Sequence, residues 1–365
     1  MNKYNENQFI LQLCKINTYD REKMISLIND GLDYPYILGH LLYNRVGGAA
    51  YTVLKESNLL FNMNREFRNT LKMVYDCNCI RQDSSKKVLS LLCRMFDNIG
   101  VPYALLKGSF LVDIYSKGIR TSNDVDILVN QNNISAITEM LRSNGFKQGN
   151  IRSGKFLEAT RLEILSSRLN RGETVPFIKE VDLPQMEFCE IDINYSFDYK
   201  ARQETNIVEE FLNNTQPSIN TEYGSMNTLK ISYFLIQLCL HLYKEATVLN
   251  WVKMGRDISL YKYMDIYVFI YKFFDENFSD EFISIVKKYS LERECYYTLY
   301  YTKLLFDISN EYLNNILKCI CPTNLEYLKH IFDPETKKMY EFKDSYMDWA
   351  FSNNKLEKLY EINYG

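Results

Sequence analysis

The stretch of sequence that most constrains the fold is residues 104–129, ALLKGSFLVDIYSKGIRTSNDVDILV. A first apolar run ends at the pair Gly108-Ser109, and a second apolar run encloses Asp124 and Asp126, one residue apart. An ionised carboxylate buried without a partner is costly, because a charge removed from water needs a cation or hydrogen-bond donors to compensate it. Two aspartates in one apolar run therefore indicate that this stretch folds around a ligand that balances their charge.

Around this stretch, the residue pattern predicts a small mixed α+β module. Residues 101–108 form a short apolar run typical of a strand, and residues 109–118 fit a short helix closed by Gly118. Residues 124–129 predict a second strand. Residues 187–199, EFCEIDINYSFDY, alternate polar and apolar side chains, which predicts a third strand.

The regions on both sides of this module are predicted to be helical. Residues 1–98 contain a single proline and repeat apolar side chains at helical spacing, and residues 225–321 contain no proline and one glycine. The sequence therefore predicts an α+β protein with a small mixed-sheet core at 99–200. An N-terminal helical region at 1–98 and a C-terminal helical region at 201–365 would flank that core.

Composition narrows the class of protein. The 365 residues carry a formal net charge of −3 with a pI near 5.8, so the chain has no general attraction for nucleic acid or anionic membranes. A local basic patch still leaves nucleic acid open as a partner. The start lacks the long apolar segment of a signal peptide, and the most apolar stretch, 233–243, is too short to span a bilayer. Nine scattered cysteines complete no zinc-ligand set, so we expect free buried thiols in a cytoplasmic protein without membrane association.

Asp124 and Asp126 form the first candidate site. In a strand, side chains at positions i and i+2 point to the same face, so these two carboxylates converge while Val125 and Ile127 face the core. Mg²⁺ takes oxygen ligands and completes its shell with water and substrate phosphates, which makes Mg²⁺, or Mn²⁺ in its place, the expected cofactor. The same pair also suits a metal-dependent glycosyltransferase, an alternative that leaves the neighbouring motifs unexplained.

Two further elements supply groups for the same chemistry. On the predicted third strand, Glu190, Asp192 and Asn194 share one face, and a two-metal site needs a third carboxylate to activate a hydroxyl for attack on phosphorus. Spacing alone does not separate Glu190 from Asp192 as that carboxylate. Gly108 and Ser109 open a helix directly after a strand, so the free amides and the Ser109 hydroxyl predict a phosphate cradle.

The order of these elements resembles that of a known superfamily. An apolar strand, a Gly-Ser pair, a helix, Asp-x-Asp on a strand and a later single acid are arranged as in the nucleotidyltransferase superfamily that includes DNA polymerase β. The segments PYALLKGSF, GIRTSNDVDILV and IDINYSF are similar, more closely, to an uncharacterised bacterial nucleotidyltransferase family whose members often occur in lasso-peptide and other natural-product gene clusters. The resemblance is strong over 101–129 and extends weakly over most of the chain.

The resemblance implies a role for each matching residue. Gly108 and Ser109 would hold the triphosphate of an NTP, and Asp124 and Asp126 would hold Mg²⁺. Asp192 would supply the third carboxylate. These roles together imply an enzyme that is a metal-dependent nucleotidyltransferase.

The match to the family is incomplete at several positions. The choice of Asp192 over Glu190 rests on the resemblance alone. Arg120 matches the basic residue that precedes the acid pair, but Asn194 stands where the family often has histidine. Segment 147–187 has no counterpart in the family.

Four residues near or beyond these motifs keep two interpretations each. Lys107 could reach a phosphate or be a solvated lysine at a strand end, and Arg120 could clamp a phosphate or pair with Asp124. His241 and Asp265 each lie on an apolar helical stripe. They could be satisfied core residues, paired with each other, or they could orient the base or the acceptor.

The segment between the acid pair and the third strand is basic. Residues 147–180 carry seven basic side chains against four acidic ones, the basic ones being Lys147, Arg152, Lys155, Arg161, Arg168, Arg171 and Lys179. This could be a solvated face, or it could bind the acceptor beside the site.

The function predicted from these observations is transfer of an NMP from an NTP, ATP by default, with release of pyrophosphate. The resemblance implies that the acceptor is a hydroxyl or phosphate of a peptide or small natural product. One alternative is a toxin-like enzyme that modifies tRNA or a protein, to which the basic segment points. Another is a catalytically silent module that binds a nucleotide or a peptide.

Overall fold

The computed structural model describes residues 3–96, 99–170, 172–197 and 207–362, and it combines helices with a mixed sheet as the α+β prediction requires. The α-helices, in chain order, are α1 (Tyr4–Cys14), α2 (Arg21–Asn29), α3 (Tyr34–Tyr43), α4 (Gly47–Glu56), α5 (Arg65–Phe96), α6 (Gly108–Ile114), α7 (Ile134–Ser143), α8 (Arg161–Asn170), α9 (Ile207–Asn213), α10 (Ile231–Thr247), α11 (Leu249–Lys253), α12 (Leu260–Phe273), α13 (Glu276–Lys288), α14 (Glu292–Phe306), α15 (Glu311–Cys319) and α16 (Tyr346–Ala350).

The strands follow the same convention. In chain order they are β1 (Tyr103–Leu105), β2 (Val125–Val129), β3 (Lys147–Arg152), β4 (Lys155–Glu158), β5 (Phe177–Leu183), β6 (Met186–Asn194), β7 (Thr215–Thr221), β8 (Gly224–Leu229), β9 (His330–Phe332), β10 (Met339–Phe342) and β11 (Leu359–Ile362). Among the helices described, none has the length and apolar character that crossing a bilayer would need.

The chain divides into two compact units, one formed by residues 1–72 with 235–365 and the other by residues 73–234. The first unit is mainly helical: α1 packs on α3 and α4, α12 packs on α14, and β9, β10 and β11 form a small antiparallel sheet. The second unit contains the predicted acid pair and the strands around it. The predicted division into regions 1–98, 99–200 and 201–365 stays a prediction.

An eight-stranded sheet organises the second unit, in the order β4-β3-β5-β6-β2-β1-β8-β7. β2 pairs antiparallel with β1 and parallel with β6, while β1 pairs parallel with β8. Antiparallel hairpins, β3–β4 and β7–β8, lie at the two ends of the sheet. The predicted mixed sheet is therefore confirmed, with β2 and β6 adjacent at its centre.

Burial along β6 follows the alternation that the sequence predicts. Cys189, Ile191 and Ile193 are buried in the core, whereas the intervening Glu190 and Asp192 are half-buried on the opposite face. This strand ends at Asn194, earlier than predicted, and positions 198 and 199 of the predicted strand lie outside the described residues.

The helix after the Gly-Ser pair is shorter than predicted. It ends at Ile114, because Tyr115 turns to an extended conformation (φ −89°, ψ 151°) instead of continuing to Gly118. Gly118 lies in the following turn with a φ of +88°, and a Cβ there would stand 2.3 Å from the ring of Tyr75. Glycine is therefore required at this turn by conformation and by space.

The cysteines are free, as predicted, but not uniformly buried. Five of them are buried, while Cys77, Cys319 and Cys321 are exposed and Cys79 is intermediate. The exposed thiols lie on or just after helices, where the apolar stripe does not include them, so the expectation of burial is wrong at these positions.

Candidate active site

The connection from β1 to α6 holds the chain in a strained conformation. Lys107 has φ +44° and ψ −120°, a conformation that costs a non-glycine residue about 1–3 kcal/mol. The amide of the preceding Leu106 donates to the carbonyl of Asp126 over 2.9 Å, which ties this turn to β2. Gly108 follows and begins α6, where an added Cβ would lie 2.2 Å from Ser122 Oγ. The Gly-Ser turn therefore depends on glycine at 108 for close packing against the loop before β2.

A pocket in the second unit collects several of the predicted residues. Gly108, Ser109, Asp124 and Glu190 all line it. The rest of its wall comes from the second half of α5, from α6, from the loop before β2 and from β6: Ser85, Lys86, Val88, Leu89, Val112, Asp113, Ser122, Asn123, Val125, Met186 and Cys189. The wall is largely apolar with a few polar groups, as expected of a small-molecule site.

Asp126 lies deeper than the pocket wall, with 4% of its surface exposed. Its Oδ1 accepts a hydrogen bond from Lys107 Nζ over 2.7 Å and another from Asn194 Nδ2 over 3.2 Å. Because β2 and β6 run parallel, Asp126 pairs in register with Asp192. The sheet thus joins three elements that the sequence places far apart: the β1–α6 turn, β2 and β6.

The side chains Asp124, Asp126, Glu190 and Asp192 are here called the acid cluster, and the pKa values of the last three are raised by burial and by neighbouring carboxylates. Burial raises the pKa of Asp192 well above its usual range, and the charges of Asp126 and Asp124 raise it further. Burial also raises the pKa of Asp126 and of Glu190, with Asp124 acting in the same direction on both. A nearby positive charge would therefore stabilise the ionised forms of these four neighbouring acids.

Lys107 supplies part of that charge. Burial alone would lower the pKa of this lysine, but the carboxylates of Asp126, Asp124 and Asp192 outweigh burial and raise it above its usual value. Lys107 is therefore an ammonium ion bonded to the most buried acid. The prediction that it is a solvated strand-end lysine is wrong, since its side chain is 22% exposed and engaged.

The donor set of the acid cluster fits a hard divalent cation. The available ligand atoms are carboxylate oxygens, and like charges held this closely are stabilised by a cation such as Mg²⁺. Among the residues that the structure describes, no three acidic, histidine or cysteine side chains are gathered as a ready-made metal site. Mg²⁺ is commonly held by one or two carboxylates together with substrate phosphates, so the fit is to a metal that arrives with a phosphate ligand.

Asp124 is held by the loop that precedes β2. Ser122 Oγ lies 3.1 Å from Asp124 Oδ1 and 3.0 Å from the Asp124 carbonyl oxygen. The loop itself is held by α5, because Arg81 Nε donates to the carbonyl of Ser122 over 3.0 Å. Ser122 and Arg81 were not singled out from the sequence, since neither was read as part of a motif and Arg81 acts through a contact 41 residues away along the chain.

Arg120 lies outside the wall of this pocket. It is buried, its guanidinium donates to the carbonyl of Thr121, and its own carbonyl accepts from Gln82 Nε2 over 2.8 Å. These contacts hold the turn that leads into the acid pair. Its assignment to a phosphate stays a prediction.

His241 and Asp265 belong to the first unit and lie on α10 and α12. His241 Nε2 lies 3.2 Å from Glu245 Oε1, and Glu245, itself buried, pairs with Lys262 of α12. Asp265 is 3% exposed. These contacts join His241 to an ion-pair network between α10 and α12, and a role for either residue in orienting substrate stays a prediction.

Glu173 is an acid that the sequence analysis did not single out. It forms an antiparallel bridge with Asn194. The pKa of Asp192 is raised mainly by burial and by the charges of Asp126 and Asp124, and the charge of Glu173 raises it further. Glu173 lies in segment 147–187, within the range that the basic residues dominate. In the sequence, Glu173 is marked only by the basic residues around it, and these do not distinguish it from the other acids of the segment.

Comparisons with known proteins place the chain in a family. A family model described as uncharacterised nucleotidyltransferase matches residues 33–307, about three quarters of the chain. No match is found among curated proteins. A solved structure, an antigenic nucleotidyltransferase-like protein from Paracoccidioides brasiliensis, is similar over 58% of this chain and 92% of its own, with 15% identity and a TM-score of 0.35.

Proposed function

The chain belongs to the uncharacterised nucleotidyltransferase family, and from that premise we propose that it transfers an NMP from an NTP to a hydroxyl or phosphate of a peptide or small-molecule acceptor. ATP is the default donor. The observation that carries the proposal is the single pocket lined by Gly108, Ser109, Asp124 and Glu190. Reaction at a nucleotide phosphate in such a pocket is what membership of a nucleotidyltransferase family leads one to expect.

The triphosphate is proposed to lie at the start of α6. Gly108 has no side chain, so a phosphate can approach its backbone, and the buried Ser109 hydroxyl lies on the same pocket wall. Lys107 is one residue away and already cationic, so it can turn from Asp126 toward a phosphate when another cation takes its place.

Mg²⁺ is proposed to bind between Asp124, Asp126 and the phosphates, with Asp192 as the further carboxylate. When bound, the ion would polarise the α-phosphate and stabilise the departing pyrophosphate. Asn194 donates to Asp126 and so fixes which oxygen of that carboxylate faces away from β6. Positioning of this kind, rather than covalent chemistry by the protein, supplies most of the acceleration in phosphoryl transfer.

The acceptor oxygen is proposed to lie beside Glu190 and Asp192. Its attack forms a new oxygen–phosphorus bond at the α-phosphate, breaks the bond to pyrophosphate and releases a proton. Glu190 lines the pocket beside Asp124, and its pKa is raised by burial and by Asp124, which makes it a better proton acceptor than an ordinary glutamate. Asp192 is the acid that the family resemblance favours, and its register with Asp126 favours a metal ligand.

The test is calorimetric titration of ATP, GTP, CTP and UTP, with and without Mg²⁺, into wild type and an Asp124→Asn/Asp126→Asn variant. We expect one nucleotide to bind only with Mg²⁺ and the variant to lose that binding. Asparagine keeps the shape of each side chain, so the variant's folding can be checked by its unfolding midpoint. Metal-dependent binding that survives in a folded variant would contradict the proposed site.

A pair of single variants then separates the two candidate acids. Asp192→Asn is expected to weaken Mg²⁺-dependent nucleotide binding, because a ligand of the metal is lost. Glu190→Gln is expected to leave that binding nearly intact and to lower only transfer to an acceptor. The reverse pattern would exchange the two roles.

A further inference from the structure

Residues 147–170 fold into a hairpin and a helix, β3, β4 and α8. β3 and β4 join at Ser153-Gly154, where both residues have positive φ, +51° and +73°. Thr160 and Glu163 then exchange hydrogen bonds at the start of α8, as in a capping box. Residues 147–170, here called the hairpin–helix surface, are thus an ordered element with local signals for each turn.

Aliphatic side chains on this surface are exposed to an unusual degree. Leu162 is 79% exposed, Leu157 50%, Leu165 46% and Ile151 37%. Leu162 and Leu165 are three residues apart on α8, so they lie on one side of that helix. Leu157 pairs with Asn150 and so shares one face of the hairpin with Arg152 and Lys155, whereas Ile151 pairs with Phe156 on the opposite face. Single exposed leucines are common, but Leu157, Leu162 and Leu165 on one continuous stretch indicate a contact surface.

The same surface carries an excess of positive charge. Arg152, Lys155 and Arg161 are all exposed, and Arg152 pairs directly with Lys155 across the hairpin. Like charges placed opposite each other in a hairpin destabilise it. Glu163 offsets part of this charge. Hydrogen bonds from Thr160 lower the pKa of the Glu163 carboxyl most, and the nearby charge of Arg152 lowers it further. Glu158 is exposed as well, so residues 147–170 carry five basic side chains against two acidic ones, an excess that an acidic partner would offset.

Hydrogen bonds join this surface to the end of β6. Ser167 Oγ donates to the carbonyl of Glu173 over 3.0 Å, and Tyr195 Oη donates to the carbonyl of Arg168 over 2.5 Å. Glu173 in turn bridges Asn194, two residues after Asp192. A molecule held on the hairpin–helix surface therefore lies on an element fastened to the strand that carries the proposed acceptor-side acids.

We propose that the hairpin–helix surface binds the acceptor, and that the acceptor is a peptide with acidic and aliphatic side chains. This proposal rests on the proposed function and names its acceptor class. Nucleic acid fits the surface less well, because bases stack on aromatic side chains and Phe156 is the one aromatic residue in 147–170 and is half-buried. Aliphatic side chains together with arginine and lysine match an acidic, leucine-rich peptide.

The test is fluorescence anisotropy with a fluorescein-labelled peptide of alternating glutamate and leucine. A lysine–leucine peptide and labelled oligouridine serve as comparison probes. Wild type is expected to bind the acidic peptide, and Arg152→Glu/Arg161→Glu to weaken it by about tenfold or more, because two attractive charges become repulsive. Leu162→Ser/Leu165→Ser is expected to weaken the same peptide without changing the charge.

A matched control reverses two exposed lysines of the other unit, Lys287→Glu/Lys318→Glu. This control changes net charge equally and is expected to leave peptide affinity unchanged. Equal loss in the control, or wild-type affinity no greater for the acidic peptide than for the lysine–leucine peptide, would overturn the proposal. So would tighter binding of oligouridine that both surface variants abolish, since it would assign the surface to nucleic acid.

The nucleotide titration separates this proposal from the proposed function. The surface variants are expected to bind Mg²⁺ and ATP as wild type does, because they lie outside the pocket wall. The Asp124→Asn/Asp126→Asn variant is expected to keep the acidic peptide. If peptide binds and no nucleotide does, the proposed function fails while the surface stands as a peptide-binding site.

Discussion

Two groups of buried ionisable side chains, one in each compact unit, balance their charge in opposite ways. In the first unit, Lys355 Nζ donates to both oxygens of Asp257, over 2.9 and 2.8 Å, and both residues are buried. Acid and base are matched one to one. In the second unit, the four acids of the acid cluster influence one another electrostatically, and Lys107 donates a hydrogen bond to one of them, Asp126.

The difference teaches where buried charge indicates a site. A matched pair offsets its own cost of desolvation and holds its elements together, so no bound ion is needed to balance its charge. An unmatched excess of carboxylates raises their pKa values and weakens the fold unless a cation binds. The excess in the second unit coincides with a pocket and a strained turn, whereas Asp257 and Lys355 are absent from the wall of that pocket.

The largest effect should follow from breaking the matched pair. Asp257→Ala leaves the Lys355 ammonium buried without a partner, and we expect the free energy of unfolding to fall by about 3–5 kcal/mol. Urea unfolding followed by far-UV circular dichroism measures it. Asp257→Ala/Lys355→Met removes both charges and is expected to recover most of the loss. A double variant as unstable as the single one would show that the pair is not balanced as described.

Lys107→Met should have a smaller effect on stability, because Lys107 is 22% exposed and Asn194 still donates to Asp126. We expect a loss of about 1–3 kcal/mol in metal-free buffer, the cost of leaving a buried acceptor without its charged partner. Mg²⁺ with ATP should raise the unfolding temperature of this variant more than that of wild type, since the metal replaces the missing cation. Equal shifts in the two proteins would mean that Lys107 and the metal act at separate places.

Local features of the acid cluster were predictable from sequence because they depend on neighbours in the chain. The alternation along β6 places Glu190 and Asp192 on the face opposite Ile191, as a period of two requires. The Gly-Ser pair begins α6 as predicted, and glycine is needed at 108 because the side chain of Ser122 packs directly against its backbone. These features need no knowledge of which strands pair.

The rest of the site depends on contacts that sequence order does not reveal. The register of Asp126 with Asp192 follows from β2 and β6 being neighbours, although β3, β4 and β5 lie between them along the chain. Lys107 bonds to Asp126 from a backbone conformation with positive φ, which sequence rules assign to glycine rather than to lysine. Glu173 reaches Asn194 through an isolated bridge between residues 21 positions apart, which no local pattern predicts.

A pH series would sharpen the comparison further. The pKa of Asp192 is raised in the folded protein, so in metal-free buffer the native state binds more protons than the unfolded chain once pH exceeds the unfolded value of about 3.9. Its contribution to the free energy of unfolding is therefore favourable at low pH and is lost as pH rises through the folded pKa. Asp192→Asn removes this titration.

We accordingly expect wild type to lose stability relative to Asp192→Asn as pH is raised from about 4, in urea titrations with chelator present. Groups distant from Asp192 titrate alike in both proteins, so the difference between the two profiles reports Asp192 together with its effect on Asp126 and Asp124. Adding Mg²⁺ with ATP should reduce the difference, since a cation then favours the ionised form. Parallel profiles would show that Asp192 carries no excess charge, and the acid cluster would then be balanced much as Asp257 and Lys355 are.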